Sequence, residues 1–304
     1  MAAIMFLFAS ACSASTVEEV ATPTVVASTD VPPQITTSAS SESHLQLAFA
    51  TTDFGVGENR IGFGLIDSKE GPIRDASVEI QTFFIPEGGQ QGDPMETVNA
   101  VFRKWPISPN GIYTAQLALD REGSWGIGVI ASRPNGSVQS AASPIQVKAK
   151  SSTPQIGSAA PRSANKTLDD VDGLDQITTD VDPDPELYEM SVSEALDSGL
   201  PVMLTFSTPA FCQTATCGPQ LDMLKELKAK YSDRANFIHI EVYDNPDEIQ
   251  GDLSNAIVSP VLAEWGLPSE PWTFVVDEYG LIQAKFESFA TREELETALT
   301  AVLQ

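Results

Sequence analysis

The sequence predicts two folded domains of different class, an all-β sandwich followed by an α/β domain, with polar connecting segments before each. Three observations carry this. At 304 residues the chain is longer than a single hydrophobic core usually grows. Residues 44–149 break into short, partly alternating apolar runs punctuated by turn signals. Residues 177–304 instead alternate helix-period segments with continuous apolar runs of strand length.

Composition excludes some partners at the outset. With 42 acidic against 17 basic side chains the formal charge is -25, which repels phosphate backbones, so nucleic acid is not an expected partner. At the start, "AAIMFLFASAC" is an apolar run ending in small residues, too short to span a bilayer as a helix and suited to a secretory signal. Its "ASAC", Ala9 to Cys12, resembles a bacterial lipoprotein lipobox, with Ala9 where leucine is usual. The resemblance implies that residues 1–12 are a signal segment and that Cys12 carries a lipid anchor. The protein is then exported and held on the outer face of the bacterial cytoplasmic membrane. An ordinary signal peptide with an incidental Cys12 is the alternative. Residues 13–43, rich in Ser, Thr, Val, Ala and Pro without helical period, read as an unfolded tether.

Within 44–149 seven strands are expected: "HLQLAFATT", "NRIGFGLID", "ASVEIQTFF", "TVNAVFRKW", "GIYTAQLALD", "SWGIGVIA" and "SPIQVKAK". Turn signals such as "SKEGP", "SPNG" and "RPNG" separate them. This spacing predicts an immunoglobulin-like β-sandwich with Phe63, Val78, Ile80, Tyr113, Leu117, Trp125, Ile127 and Val129 as core. The pair Gly111-x-Tyr113 and Gly123-x-Trp125 resembles small extracytoplasmic sandwich domains, some of which bind copper. Such sites need clustered His or Met, and here only His44 and Met95 are offered. No metal is expected, and the sandwich reads as a spacer or protein-contact domain.

Residues 150–176 return to linker composition, and Gly157-x-x-Ala160-Pro161 within them resembles the lead-in to many thioredoxin-like and peroxiredoxin domains. Beyond it, "MSVSEALDSG" carries Ser191 as N-cap, Glu194 completing a capping box and Gly199 as a stop. "LPVMLTFST" is a strand apolar throughout, as a centrally placed one is. "PQLDMLKELKAKY" repeats Leu221, Leu224, Leu227 and Tyr231 at helical spacing, with Pro219 expected at its first position. "ANFIHIEVYD" is a second strand and "SPVLAEWG" a short helix behind Ser259 and Pro260. "PWTFVVDEYGLIQAKFES" forms a hairpin turning at "DEYG", and Thr291 with Glu294 caps a last helix.

A central apolar strand, then Phe211-Cys212, then Cys217-Gly218-Pro219 opening an amphipathic helix, and later Pro271 just before "WTFVV" together resemble the thioredoxin-like superfamily over residues 177–304. The resemblance implies that Pro271 is cis and faces the dithiol, where it and Phe211 contact a substrate strand. The family's Cys-x-x-Cys is Cys-x-x-x-x-Cys here. Anchoring on the strand gives Cys212 the nucleophile's place; anchoring on Cys-Gly-Pro gives it to Cys217 and puts Gln220 in the resolving position.

A helix N-terminus presents unpaired N–H groups that stabilise a thiolate, lowering a cysteine pKa from ~8.5 into the range of about 3.5–7.5. With no Lys, Arg or His between Ser207 and Asp222, the helix end acts alone. The expected chemistry is thiol–disulfide exchange with the thiols and disulfides of other extracytoplasmic proteins, Cys212 attacking and Cys217 resolving, without a cofactor. A structural staple is the first alternative, although closing so short a loop stabilises by only ~2 kcal/mol in the chain-entropy model. In that case the protein is a non-catalytic binding module. A copper-delivering branch of the superfamily pairs two such cysteines with a distant histidine, for which His239 is the candidate, but within an apolar strand His239 reads as a core residue. A peroxidase needs Thr-x-x-Cys in a proline context, which neither Thr208 nor Thr214 provides.

Overall fold

The structure is a computed structural model that describes residues 44–89, 92–106, 108–212 and 216–303. The signal segment, Cys12 and the tether expected over 13–43 lie outside the described residues. The described residues belong to one compact unit.

Nine strands form the first layer: β1 (Leu45–Phe49), β2 (Phe54–Gly55), β3 (Gly57–Asp67), β4 (Gly71–Ile73), β5 (Ser77–Ile85), β6 (Glu96–Lys104), β7 (Gly111–Leu119), β8 (Gly123–Ser132) and β9 (Val138–Lys148). They make one curled sheet in the order β1-β3-β7-β6-β5-β8-β9-β2, with β4 added alongside β3. β6 turns the corner. Its first half pairs with β5, from Thr82↔Glu96 to Val78↔Ala100, and its second half with β7, from Val101↔Thr114 to Lys104↔Gly111. The inward faces meet in a single apolar cluster that contains all eight residues expected from alternation, Phe63 to Val129. The seven expected strands become nine because β2 and β4 are too short to register as patterns. β9 also begins five residues before "SPIQVKAK", since Ser132↔Val138 starts a hairpin whose polar residues show no apolar signal. Pro144 is tolerated in β9 because beyond it only β2 pairs, at Val147 and Lys148.

The second layer is a four-stranded sheet with helices on both faces. Its strands are β10 (Val202–Ser207), β11 (Asn236–Glu241), β12 (Trp272–Val276) and β13 (Ile282–Glu287), in the order β11-β10-β12-β13. β11 runs parallel to β10; β12 and β13 are antiparallel to their inner neighbours. The helices are α1 (Val192–Asp197), α2 (Cys217–Tyr231), α3 (Pro246–Ile249), α4 (Pro260–Glu264) and α5 (Arg292–Val302). Leu221, Leu224 and Leu227 of α2 and Leu295 and Leu299 of α5 cover one face with Met203 and Val275. Val192, Ala195, Val261 and Leu262 of α1 and α4 cover the other with Val202, Leu204 and Phe206. β10 is buried along its whole length, as its unbroken apolar run requires. Both expected capping boxes form, Ser191 with Glu194 and Thr291 with Glu294. One expectation is corrected: α2 starts at Cys217, so Pro219 is its third residue rather than its first. The first-turn N–H groups have no intrahelical partner, which is why proline costs nothing there.

The segment 150–176 has linker composition but is laid along the α/β layer. Gly157 and Ser158 exchange backbone hydrogen bonds with Ile282, and the Ala160 amide donates to Gly280. Ser163 accepts from Trp265 Nε1 and donates to Glu264, while Asn165 accepts from the Val192 amide. Small side chains let this backbone approach β13 closely and satisfy its polar groups there. The two layers are joined directly. The buried Asp53 carboxylate accepts from the amides of Ser152 and Thr153, from Thr153 Oγ1 and from Lys148 Nζ. Arg60 of β3 reaches Glu294 of α5 at 2.9 Å with both side chains largely enclosed.

Candidate active site

β10 delivers the chain to the site. After Ser207 the Phe211 amide closes a turn onto Thr208, and α2 then opens at Cys217. Cys212 and Cys217 form a disulfide with their Cα atoms 5.9 Å apart. The two sulfurs sit differently: Cys217 is completely buried, and Cys212 only half so. The Cys217 amide, the first N–H of α2, donates to Cys212 Sγ at 3.3 Å. The helix terminus is thus aimed at the sulfur of the more exposed cysteine.

The neighbouring elements converge on the same end of the sheet. Phe211 packs edge-on against Tyr243, just past β11, with ring centroids 6.0 Å apart. Because β12 is antiparallel to β10 with Trp272 opposite Phe206, the residue before Trp272 lies level with the end of β10. That residue is the buried Pro271, and the Glu270–Pro271 peptide is cis. Burial holds the Glu270 carboxyl above its ordinary value. Burial also raises Tyr243, helped by the negative charges of Glu270 and Glu241.

Gln220 is fully buried, donating to Thr273 Oγ1 at 3.1 Å and accepting from the Ala290 amide at 3.1 Å. Thr273 in turn bonds Thr205 across β10 and β12. Gln220 therefore ties the first turn of α2 to the central strands and to the head of α5. His239 is buried, with Nδ1 2.7 Å from Tyr188 Oη and Nε2 2.9 Å from Ser207 Oγ, and burial pushes its pKa down to about 4. Both ring nitrogens are engaged inside the protein, the arrangement of a core histidine. His44 lies beside Ser68 in the β-layer and Met95 is exposed beside β6; neither approaches the cysteines in sequence or layer. Among the described residues no three His, Cys, Asp or Glu side chains form a metal-holding group, and no helix is long and apolar enough to cross a membrane. Thr208 is buried at the end of β10, and Thr214 lies outside the described residues.

Two acidic residues here escape sequence reasoning. Glu241, buried at the end of β11, accepts from the Thr179 amide and hydroxyl at 2.8 Å and from the Val242 amide, and burial nevertheless raises its pKa. Its signal was a carboxylate inside "FIHIEVY". Glu270 had a signal too, its place directly before Pro271.

No family model and no curated protein matches this chain. Among solved structures, it is similar to a Chlorobium tepidum protein described as a thiol:disulfide interchange protein DsbE. The match has 15% identity and a TM-score of 0.36, and covers 49% of this chain and 99% of that one. A Thermotoga maritima protein described as a superoxide reductase matches at 13% identity and TM-score 0.22, over 36% of this chain and 89% of that one. The murine CRIg structure matches at 12% identity and TM-score 0.19, over 35% and 97%.

Proposed function

We propose that the chain is a thiol–disulfide exchange protein whose α/β layer is thioredoxin-like and whose β-layer is an immunoglobulin-like sandwich. The observation that carries the reading is the pairing of a half-exposed Cys212 with a buried Cys217 whose helix-terminal amide is directed at Cys212 Sγ. A merely structural disulfide needs no such asymmetry. The strand order β11-β10-β12-β13, the cysteine-bearing loop between β10 and α2, and Pro271 at the head of β12 support the fold assignment.

In the reduced protein the Cys212 thiolate attacks one sulfur of a partner disulfide. An S–S bond forms between Cys212 and the partner, and the partner's other sulfur leaves as a thiolate. Cys217, deprotonated, then attacks Cys212 Sγ, closing the internal disulfide and releasing the second partner thiolate. Two electrons pass to the partner and the two cysteine protons are given up; the reverse sequence oxidises a partner dithiol. Partners are extracytoplasmic protein thiols and disulfides, reached by a chain exported behind residues 1–12 and lipid-anchored at Cys12.

The test is the reduction potential of the pair, measured by equilibrating the protein in glutathione or dithiothreitol buffers and trapping free thiols. A value between about -120 and -270 mV supports exchange, whereas one below about -300 mV marks a staple and favours the non-catalytic binding module.

A further inference from the structure

The β-layer has so far no role in the exchange chemistry, yet it is joined to the loop that precedes Pro271. The joint is Glu287, the last residue of β13, paired across the ladder with Trp272. Its side chain is buried and lies between the layers. From the β-layer, the Thr52 amide donates to Oε2 at 2.7 Å, Thr52 Oγ1 donates to Oε1 at 2.6 Å, and the Asp53 amide donates to Oε2 at 3.2 Å. From the other side, Ser269 Oγ donates to Oε1 at 2.7 Å and itself accepts from Trp272 Nε1 at 3.1 Å. Four donors fill the carboxylate's acceptor positions, so its orientation is fixed by both layers at once.

The rest of the joint holds Glu287 in register. Arg60 donates to the Phe289 carbonyl at 2.9 Å while paired with Glu294, and the Ser288 amide donates to the Pro271 carbonyl at 2.8 Å. The route from β-layer to site is therefore short: Thr52 and Asp53, then Glu287, then Ser269, then residues 270 and 271 beside the end of β10. Nothing in the α/β layer alone supplies the three donors that come from Thr52 and Asp53.

We propose that Glu287 is a positioning residue through which the β-layer holds the 269–271 loop in the conformation that docks a protein substrate against Cys212. The proposal rests on the exchange reading and gives the sandwich a task within it, that of a support for partner docking. Small disulfides, which need no docking loop, are indifferent to it.

The test compares Glu287→Gln, Thr52→Val and the conservative Thr52→Ser with wild type in the full chain. Oxidised insulin serves as the protein disulfide and oxidised glutathione as the small one. Dithiothreitol returns the chain to its dithiol after each turnover, with the uncatalysed rate subtracted, and thermal unfolding is the folding control. Gln keeps the shape but turns donors against donors at one of its two atoms, and Val deletes the Thr52 hydroxyl donor. The expected result is KM for insulin raised by about tenfold in Glu287→Gln and severalfold in Thr52→Val, with rates on glutathione and the reduction potential unchanged. Thr52→Ser should restore the wild-type KM. Hydrogen exchange of the amides of residues 269, 270, 272, 273 and 288, which requires no turnover, should quicken in Glu287→Gln. A folded Glu287→Gln with unchanged KM for insulin, or with unchanged protection of that loop, overturns the inference alone. A wild-type protein inert towards both disulfides overturns the exchange reading, and the docking role falls with it.

Discussion

The Cys217 amide donates a hydrogen bond to Cys212 Sγ at 3.3 Å, so the positive end of α2 is directed at the outer sulfur of the pair and not the inner one. In the reduced protein the same N–H faces a sulfur able to ionise. Cys212 is then expected to titrate below the ordinary cysteine value of ~8.5, with Cys217 shielded by burial. Iodoacetamide alkylation of the reduced chain as a function of pH, resolved by peptide mass, checks this. A Cys212 midpoint at or above the ordinary value would remove the basis for its proposed role as attacker.

The order of attack has its own test. Cys217→Ser should accumulate a mixed disulfide with a partner through Cys212, because the resolving sulfur is gone. Cys212→Ser should accumulate little, since Cys217 is completely buried. Non-reducing gels of both variants after incubation with a protein disulfide separate the outcomes; equal trapping by both would contradict the assigned order.

Acid should weaken the fold in a window set by His239. Its folded pKa is depressed to about 4 by burial, against 6.5 for the free side chain. The unfolded chain therefore binds a proton that the folded one refuses as pH falls from 6.5 towards 4, and stability is lost over that interval, by about 3 kcal/mol in full. Urea unfolding at pH 7 and pH 4.5 measures it. His239→Gln lowers stability at neutral pH but should flatten the slope between those values.

Arg60 and Glu294 give a second window lower down. Burial raises the Glu294 carboxyl, but the Arg60 charge and hydrogen bond, with the Thr291 amide, outweigh it and leave the pKa depressed. A depressed carboxylate stabilises above its unfolded pKa and loses that contribution as pH falls through the folded one, so the loss begins below about pH 4.5. Removing Arg60 as Arg60→Ala leaves Glu294 enclosed and unpaired by it, costing about 2–4 kcal/mol at neutral pH and shrinking the acid dependence. Chemical denaturation across pH 3–7 reads both effects.

Gln220→Ala should cost about 2–4 kcal/mol, because it leaves Thr273 Oγ1 and the Ala290 amide without their buried partner and opens a cavity. The same change frees the first turn of α2, so Cys217 should become more reactive to alkylation in the reduced protein. An unfolding midpoint matching wild type would show the tie to be dispensable.

What sequence reading reached, and where it stopped, follows from the range of the interactions. Ser191 with Glu194 and Thr291 with Glu294 are local pairs, and both boxes form. Trp125, Tyr113 and Phe63 alternate within their own strands and are buried together. The division of β6 between two neighbours leaves no trace in "ETVNAVFRK", where partly exposed and exposed residues alternate at the corner. Residues 150–176 look unfolded because their partners, Ile282, Trp265 and Val192, are distant in the chain. Glu287 is the extreme case: it reads as an ordinary strand carboxylate, while Thr52 stands 235 positions before it.

The grip of Asp53 on Ser152 and Thr153 leaves no slack where β9 hands the chain to the α/β layer. In a multidomain reagent with a loose connector, the local concentration of captured cargo at the reactive centre depends on connector length. In this chain any such concentration would be set by fixed contacts and not by connector length. A ligand held on the β-layer would stand at a separation from Cys212 set by these bonds and by the Arg60–Glu294 pair, and not by the number of residues between 153 and 157.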